Sequence, residues 1–286
     1  MTPLFSSVED LQKRLAAADY LADDGLATAL FLAAHLPQPL LLEGEPGVGK
    51  SELARTLAKA YGLSFIRLQC YEGLEAREAL YEWNYLHQLL EIRAREGSAK
   101  GGVSDLFSAD FLIPRPLLKA LQESTTQPAV LLIDEIDRAD ESFEAFLLEF
   151  LADYAITIPE LGTVRAAVPP LVIITSNRTR ELHDALKRRC LYHWVNYPTV
   201  EQEMQIVSAR VPTASPALAE AVVQAVRWLR GLDLQKPPGV AETLAWIRAT
   251  QALGKSHLAP ETIEQTLGVV VKNYDDLQRV RSSPSG

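Results

Sequence analysis

The chain is poor in several things whose absence narrows its role. Of 286 residues only two are cysteines, Cys70 and Cys190, far apart and without Cys-x-x-Cys spacing. That excludes a disulfide framework or a cysteine zinc site and fits a reducing cytosol. Positive charge is short: 28 Lys and Arg against 37 Asp and Glu leave a net charge of −9, which offers no general basic surface to nucleic acid. No apolar run approaches the length of a membrane-spanning helix. The start, Met1-Thr2-Pro3-Leu4-Phe5-Ser6-Ser7, lacks the basic segment and apolar core of a signal peptide. A soluble cytoplasmic protein is expected, without nucleic-acid binding or membrane insertion. The five histidines show no ligand spacing, and no internal repeat or low-complexity tract is present.

What is there is an ordinary globular composition, 48% hydrophobic and 23% charged, long enough for two domains. Short apolar runs at Pro39–Glu43, Ser64–Gln69, Ala129–Asp134, Leu171–Ser176 and Leu191–Val195 alternate with helical stretches. This is the pattern of a parallel sheet buried on both faces. The expectation is an α/β fold, a three-layer αβα domain with a five-stranded parallel sheet over residues 1–198. A small all-helical lid domain over 199–280 follows, with helices near 200–210, 216–230, 239–253 and 260–280. Residues 281–286 read as a disordered tail. Ser6-x-x-Glu9 suggests a capping box that opens a first helix, and Asp24–His35 a second. Gly97–Val103 reads as a flexible stretch, and residues 155–165 as a β-hairpin around a Pro/Gly turn.

Between the first strand and the next helix stands Gly44-Glu45-Pro46-Gly47-Val48-Gly49-Lys50-Ser51, followed by Glu52. Glycines let successive backbone N–H groups turn inward onto phosphate oxygens, and the helix N-terminus adds its positive dipole. Lys50 then reaches the β- and γ-phosphates, and the Ser51 hydroxyl ligates Mg²⁺. This is a phosphate-binding loop for a nucleoside triphosphate. Asp134-Glu135 ends a buried strand, placing Asp134 to hold Mg²⁺ and Glu135 to polarise the attacking water. Lys50 and Asp134 are too far apart for one βαβ unit of about 30 residues, so a further strand intervenes. At the end of the next buried strand, Asn177 either bonds the γ-phosphate and orients water or simply begins a turn. The basic cluster Lys187-Arg188-Arg189 either sends an arginine into a neighbouring subunit's site or forms a solvated basic face.

These elements, in this order and followed by a helical region, resemble the AAA+ ATPases. Gln69-Cys70-Tyr71-Glu72-Gly73, Tyr81-Glu82-Trp83-Asn84-Tyr85, Thr175–Leu182 and Ala185–Trp194 are similar to the MoxR branch, and within it to the CoxD-type accessory ATPases of carbon monoxide dehydrogenase. The resemblance implies a homohexameric ring with ATP and Mg²⁺ at subunit interfaces. It makes Lys50 and Ser51 the loop pair, Asp134 and Glu135 the hydrolytic pair and Asn177 the first sensor. Arg189 becomes the trans-acting finger, with Arg188 as the fallback. The hairpin matches an insert of this family, and Asp105–Leu121 holds a second. One departure stands out: where relatives carry a second-sensor arginine, Pro238-Gly239-Val240-Ala241-Glu242-Thr243 offers Glu242, and Arg248 lies two turns further on.

Tyr81, Trp83 and Tyr85 are open to two readings, a client-gripping loop or core aromatics of a helix extended by Leu86, Leu89 and Leu90. Tyr20-Leu21 either line an adenine site or pack. The resemblance implies an ATP-driven remodelling chaperone working with a von Willebrand factor A domain protein on a client metalloenzyme, such as a molybdenum–copper carbon monoxide dehydrogenase. The alternatives are a nucleic-acid ATPase of helicase- or clamp-loader type, which the acidic balance opposes, and a slowly hydrolysing structural assembler.

Overall fold

The computed structural model describes residues 4–95 and 106–283. The glycine-rich stretch 97–103 and residues 284–286 of the expected tail lie outside them.

In chain order the elements are α1 (Val8–Ala17), α2 (Asp24–His35), β1 (Leu40–Gly44), α3 (Lys50–Tyr61), β2 (Phe65–Gln69), α4 (Ala76–Leu80), β3 (Tyr81–Trp83), α5 (Tyr85–Arg95), β4 (Leu112–Pro114), α6 (Pro116–Glu123) and β5 (Val130–Asp134). Then come α7 (Glu141–Asp153), β6 (Ala155–Ile158), β7 (Gly162–Arg165), β8 (Leu171–Ser176), α8 (Asp184–Arg189) and β9 (Leu191–Val195). The chain closes with α9 (Val200–Arg210), α10 (Pro216–Gly231), α11 (Val240–Ala252), α12 (Pro260–Val270) and α13 (Tyr274–Ser282).

All five expected strands enter one sheet in the order β2-β5-β8-β1-β9, and β2–β5, β5–β8 and β8–β1 pair in parallel. Every residue of β1, β5 and β8 is buried, which is why these segments read as unbroken apolar runs. In chain order β2 stands between β1 and β5; in the sheet β8 lies between them instead. The expected hairpin forms as β6 and β7, with Ala155 opposite Arg165.

The chain divides into two compact units. One takes Met1–Arg14, Asp23–Glu43 and Ser51–His193; the other takes Leu15–Ala22, the phosphate loop Gly44–Lys50 and Trp194–Gly286. The first has a core of sheet and helix residues that includes Leu131, Ile133, Leu147 and Ile174. The second buries Val222, Val226, Trp246 and Ile247 among the C-terminal helices. Among the described residues no helix is long and apolar enough to cross a membrane.

Several expectations are corrected. Ser7, not Ser6, caps α1, accepting from Asp10 N at 3.1 Å. The single helix read over 260–280 is two, because Asn273 interrupts it and caps α13 through Asp275 N at 2.8 Å. The last of these helices continues through Ser282 into the segment read as tail, where Arg281 pairs with Glu264. Tyr81–Trp83 is not helical: it is a short strand paired antiparallel with β4. Trp83 is buried there, whereas Tyr85, Leu86, Leu89 and Leu90 on α5 are exposed, so they are not core residues of a helix. Apart from these corrections, α6 falls within the stretch expected to hold a second insert, and its Leu117, Leu118, Ala120 and Leu121 belong to the core.

Candidate active site

At the loop, Lys50 is 6% exposed, and its ammonium donates to Gly44 O at 2.7 Å and to Glu45 O at 2.8 Å. The side chain thus folds over its own loop, inside the turn where phosphate oxygens would be cradled. Gly47 adopts φ +78°, a left-handed value that a side chain would strain. Its carbonyl accepts from Val240 N at 3.0 Å. Glu45, Pro46 and Gly47 are exposed, Val48 is buried, and a Cβ on Gly49 would lie 3.8 Å from the Tyr20 ring. Glu52, in the first turn of α3, faces Arg55 at 3.8 Å.

Gly47 meets the helical residues of its own unit. Glu242 caps α11 by accepting from Gly239 N at 3.0 Å. The carboxylate found in place of an arginine therefore shapes the helix start that touches the loop. Arg230, nearly buried, donates to Pro238 O at 2.7 Å and pairs with Glu203 through both terminal nitrogens at 2.7 and 2.9 Å. Thr243 donates to the same Glu203 at 2.5 Å. The Arg230 guanidinium lies over the Tyr197 ring, 4.4 Å from its centroid. Burial first, then the Glu45 carboxylate, pushes the Tyr197 hydroxyl up to about 12. Arg248 is exposed and donates to Arg210 O at the surface.

In the other unit, Ser51 Oγ donates to Asp134 Oδ1 at 2.6 Å. Thr175 of β8 donates to the same oxygen at 2.6 Å, and its hydroxyl accepts from Glu135 N at 2.9 Å. Arg67 of β2 binds the other oxygen, Oδ2. Glu135 takes the left-handed conformation, φ 55° and ψ 51°, uncommon for a residue with a side chain and frequent where geometry is fixed for function. Its carboxylate is shared between Arg138 at 2.8 Å and Gln69 at 3.2 Å. Asn177 follows β8, with its backbone N–H on Asp137 at 3.2 Å. Asp137 is 2% exposed and also accepts from Thr179 N and Thr179 Oγ1 at 2.9 and 2.7 Å. It pins the turn that carries Asn177. Arg189 ends α8 exposed, donating to Leu148 O at 2.9 Å, with Arg188 exposed beside it.

Ser51 and Asp134 therefore stand together, Glu135 follows Asp134 at the strand end, and Asn177 directly follows the neighbouring strand. Among the described residues no group of three or more His, Cys, Asp or Glu could hold a metal unaided. One hydroxyl and one carboxylate suit Mg²⁺, a hard cation that takes the rest of its oxygens from phosphates and water. The composition reading missed Arg67, Thr175 and Asp137. The only local sign of them was polar residues within otherwise apolar strands or two positions beyond the Asp-Glu pair.

Comparison with known proteins accords with this geometry. The uncharacterized protein YeaC of Bacillus subtilis is 27% identical over 203 residues, 67% of this chain and 55% of YeaC. The uncharacterized protein SH1500 of Staphylococcus haemolyticus is 26% identical over 230 residues, 78% of each chain. A Lon protease of Lawsonia intracellularis is 27% identical over 184 residues, 60% of this chain but 18% of the protease. The chain thus spans about half of YeaC and under a fifth of that protease. A crystal structure of a proposed ATPase from Cytophaga hutchinsonii shares the fold, with a TM-score of 0.51 at 16% identity, covering 95% of this chain and 89% of that one. The model of the AAA domain family, dynein-related subfamily, matches residues 39–190, and the chain belongs to that family.

Proposed function

We propose that the chain is an ATPase of the MoxR type that couples ATP hydrolysis to remodelling of a client protein. The observation that carries the hydrolytic part is the Ser51–Asp134 hydrogen bond, with Glu135 held in a left-handed turn directly after it. In the proposed step Glu135 accepts a proton from water as the water oxygen bonds to the γ-phosphorus. The bond from that phosphorus to the bridging oxygen breaks, leaving ADP and phosphate. Bound with the nucleotide, Mg²⁺ would offset phosphate charge, and Ser51 and Asp134 would hold it. Lys50 would give up its loop carbonyls for phosphate oxygens, Asn177 would orient the water, and Tyr20 would border the base.

We assign Arg189, or Arg188 beside it, to a neighbouring subunit's γ-phosphate in a homohexamer. The exposure of both side chains supports that reading. The exposed apolar residues Tyr85, Leu86, Leu89 and Leu90 support α5 as the client-facing segment. A partner with a von Willebrand factor A domain and a client such as a molybdenum–copper carbon monoxide dehydrogenase follow from the family resemblance. Mixing Arg189→Ala with Lys50→Ala tests the shared site. Each alone should be nearly inactive, and the mixture should regain part of the turnover. A mixture as inactive as its parts would count against a site completed in trans.

A further inference from the structure

We infer that Arg67 serves as the resident counter-ion of Asp134 and sets the Mg²⁺ concentration at which the site fills, an inference that rests on the nucleotide-binding reading above. Strand β2 alternates: Ile66 and Leu68 are buried on one face, and Phe65, Arg67 and Gln69 lie on the other. Gln69 is the register partner of Asp134, while Arg67 is the partner of Leu132. The long Arg67 side chain therefore reaches Asp134 along the strand diagonal. Its Nε and Nη2 both donate to Oδ2, at 2.9 and 2.6 Å, and Nη2 also donates to Gln69. The other oxygen, Oδ1, already accepts the hydroxyls of Ser51 and Thr175.

The two partners differ in their access to water. The Asp134 side chain is 3% exposed and that of Arg67 is 44% exposed. A carboxylate buried this deeply is costly without a cation, and two neutral hydroxyls do not supply one. Arg67 does, from a position where its guanidinium can swing back into solvent. A divalent ion drawn to the same carboxylate meets a positive charge already on it. Metal uptake must displace the pair or share the carboxylate across like charges. Arg67 therefore stabilises the metal-free protein and weakens its hold on Mg²⁺. It acts through Asp134 and is a positioning residue.

The test measures binding of a fluorescent ADP analogue to the full chain, in EDTA and across a Mg²⁺ titration, for the parent, Arg67→Gln and Arg67→Lys. Arg67→Gln should lower the half-saturating Mg²⁺ concentration about fivefold, the upper range for a partly exposed ion pair. Arg67→Lys, which keeps the charge without the two-nitrogen grip, should stay nearer the parental value than Arg67→Gln, and each variant's affinity in EDTA serves as its own reference. An unchanged or raised Mg²⁺ requirement in Arg67→Gln overturns the inference. A parent that binds no nucleotide in either condition overturns the nucleotide reading instead. Should Arg67→Gln not fold, the arginine Nε–H signal of the parent decides by NMR. It should shift when Mg²⁺ is added to the ADP complex, and a signal indifferent to Mg²⁺ overturns the inference.

Discussion

Gly239→Ala should damage nucleotide binding with little effect on the fold. Gly239 has φ −87°, a value alanine adopts without strain, so the glycine is not needed for its torsion. It is needed for closeness. A Cβ there would lie 2.7 Å from Gly47 Cα and 2.9 Å from Gly47 C and O, all backbone atoms that cannot rotate aside. To fit alanine, the loop must shift by several tenths of an ångström or lose the bond from Val240 N to Gly47 O at 3.0 Å. Overpacking costs about 1–3 kcal/mol, and a lost hydrogen bond about 1 kcal/mol. If the loop yields, the two together come to about 2–4 kcal/mol, a loss of affinity between about 30-fold and about 10³-fold. Fluorescent-nucleotide titration measures it, beside a thermal melt. Gly231→Ala, whose Cβ would meet nothing within 4 Å, serves as the control and should bind normally. Affinity in Gly239→Ala within a factor of about two of the parent would refute the claim that glycine on glycine holds the loop.

Two further predictions concern stability. Asp137→Ala strips the acceptor from Asn177 N, Thr179 N and Thr179 Oγ1, a loss of about 3 kcal/mol in denaturant unfolding, discounted because the turn is partly wet. Turnover should fall as well, and a loss below about 1 kcal/mol would show that the turn stands without Asp137. Burial holds Cys70, Cys190 and Tyr154 at about 12, against ordinary values of 9.0 for the thiols and 10.0 for the phenol. The unfolded chain releases these protons first, so melting temperature should drop as pH climbs from 9 toward 12. A flat profile over that window would contradict the burial of these groups.

What was legible in the sequence was local. The phosphate loop, the buried strands and Asp134-Glu135 each signal through a contiguous run whose chemistry and period agree. What was not legible arises from strand order. Arg67, Thr175 and Asp134 come from three segments and meet because β2, β5 and β8 lie side by side. Nothing in the spacing of those segments encodes that adjacency. Strand β3, three residues long, is too short to show an alternation, so its aromatics could be read as helical. Glu242 read as a missing arginine because the comparison was with relatives; its hydrogen bond to Gly239 N gives it a local role that a single chain does not advertise. The break before α13 turned on Asn273 as a cap, a signal hidden within a continuous helical pattern.

The central claim is that the chain hydrolyses ATP, with Lys50 serving nucleotide binding and Glu135 serving turnover. The direct measurement is nucleotide binding and turnover in parallel on the parent, Lys50→Ala and Glu135→Gln. The account predicts that the parent binds and hydrolyses ATP, Lys50→Ala loses binding, and Glu135→Gln keeps binding while turnover falls by about 10²-fold or more. Hydrolysis by Glu135→Gln at the parental rate would contradict it.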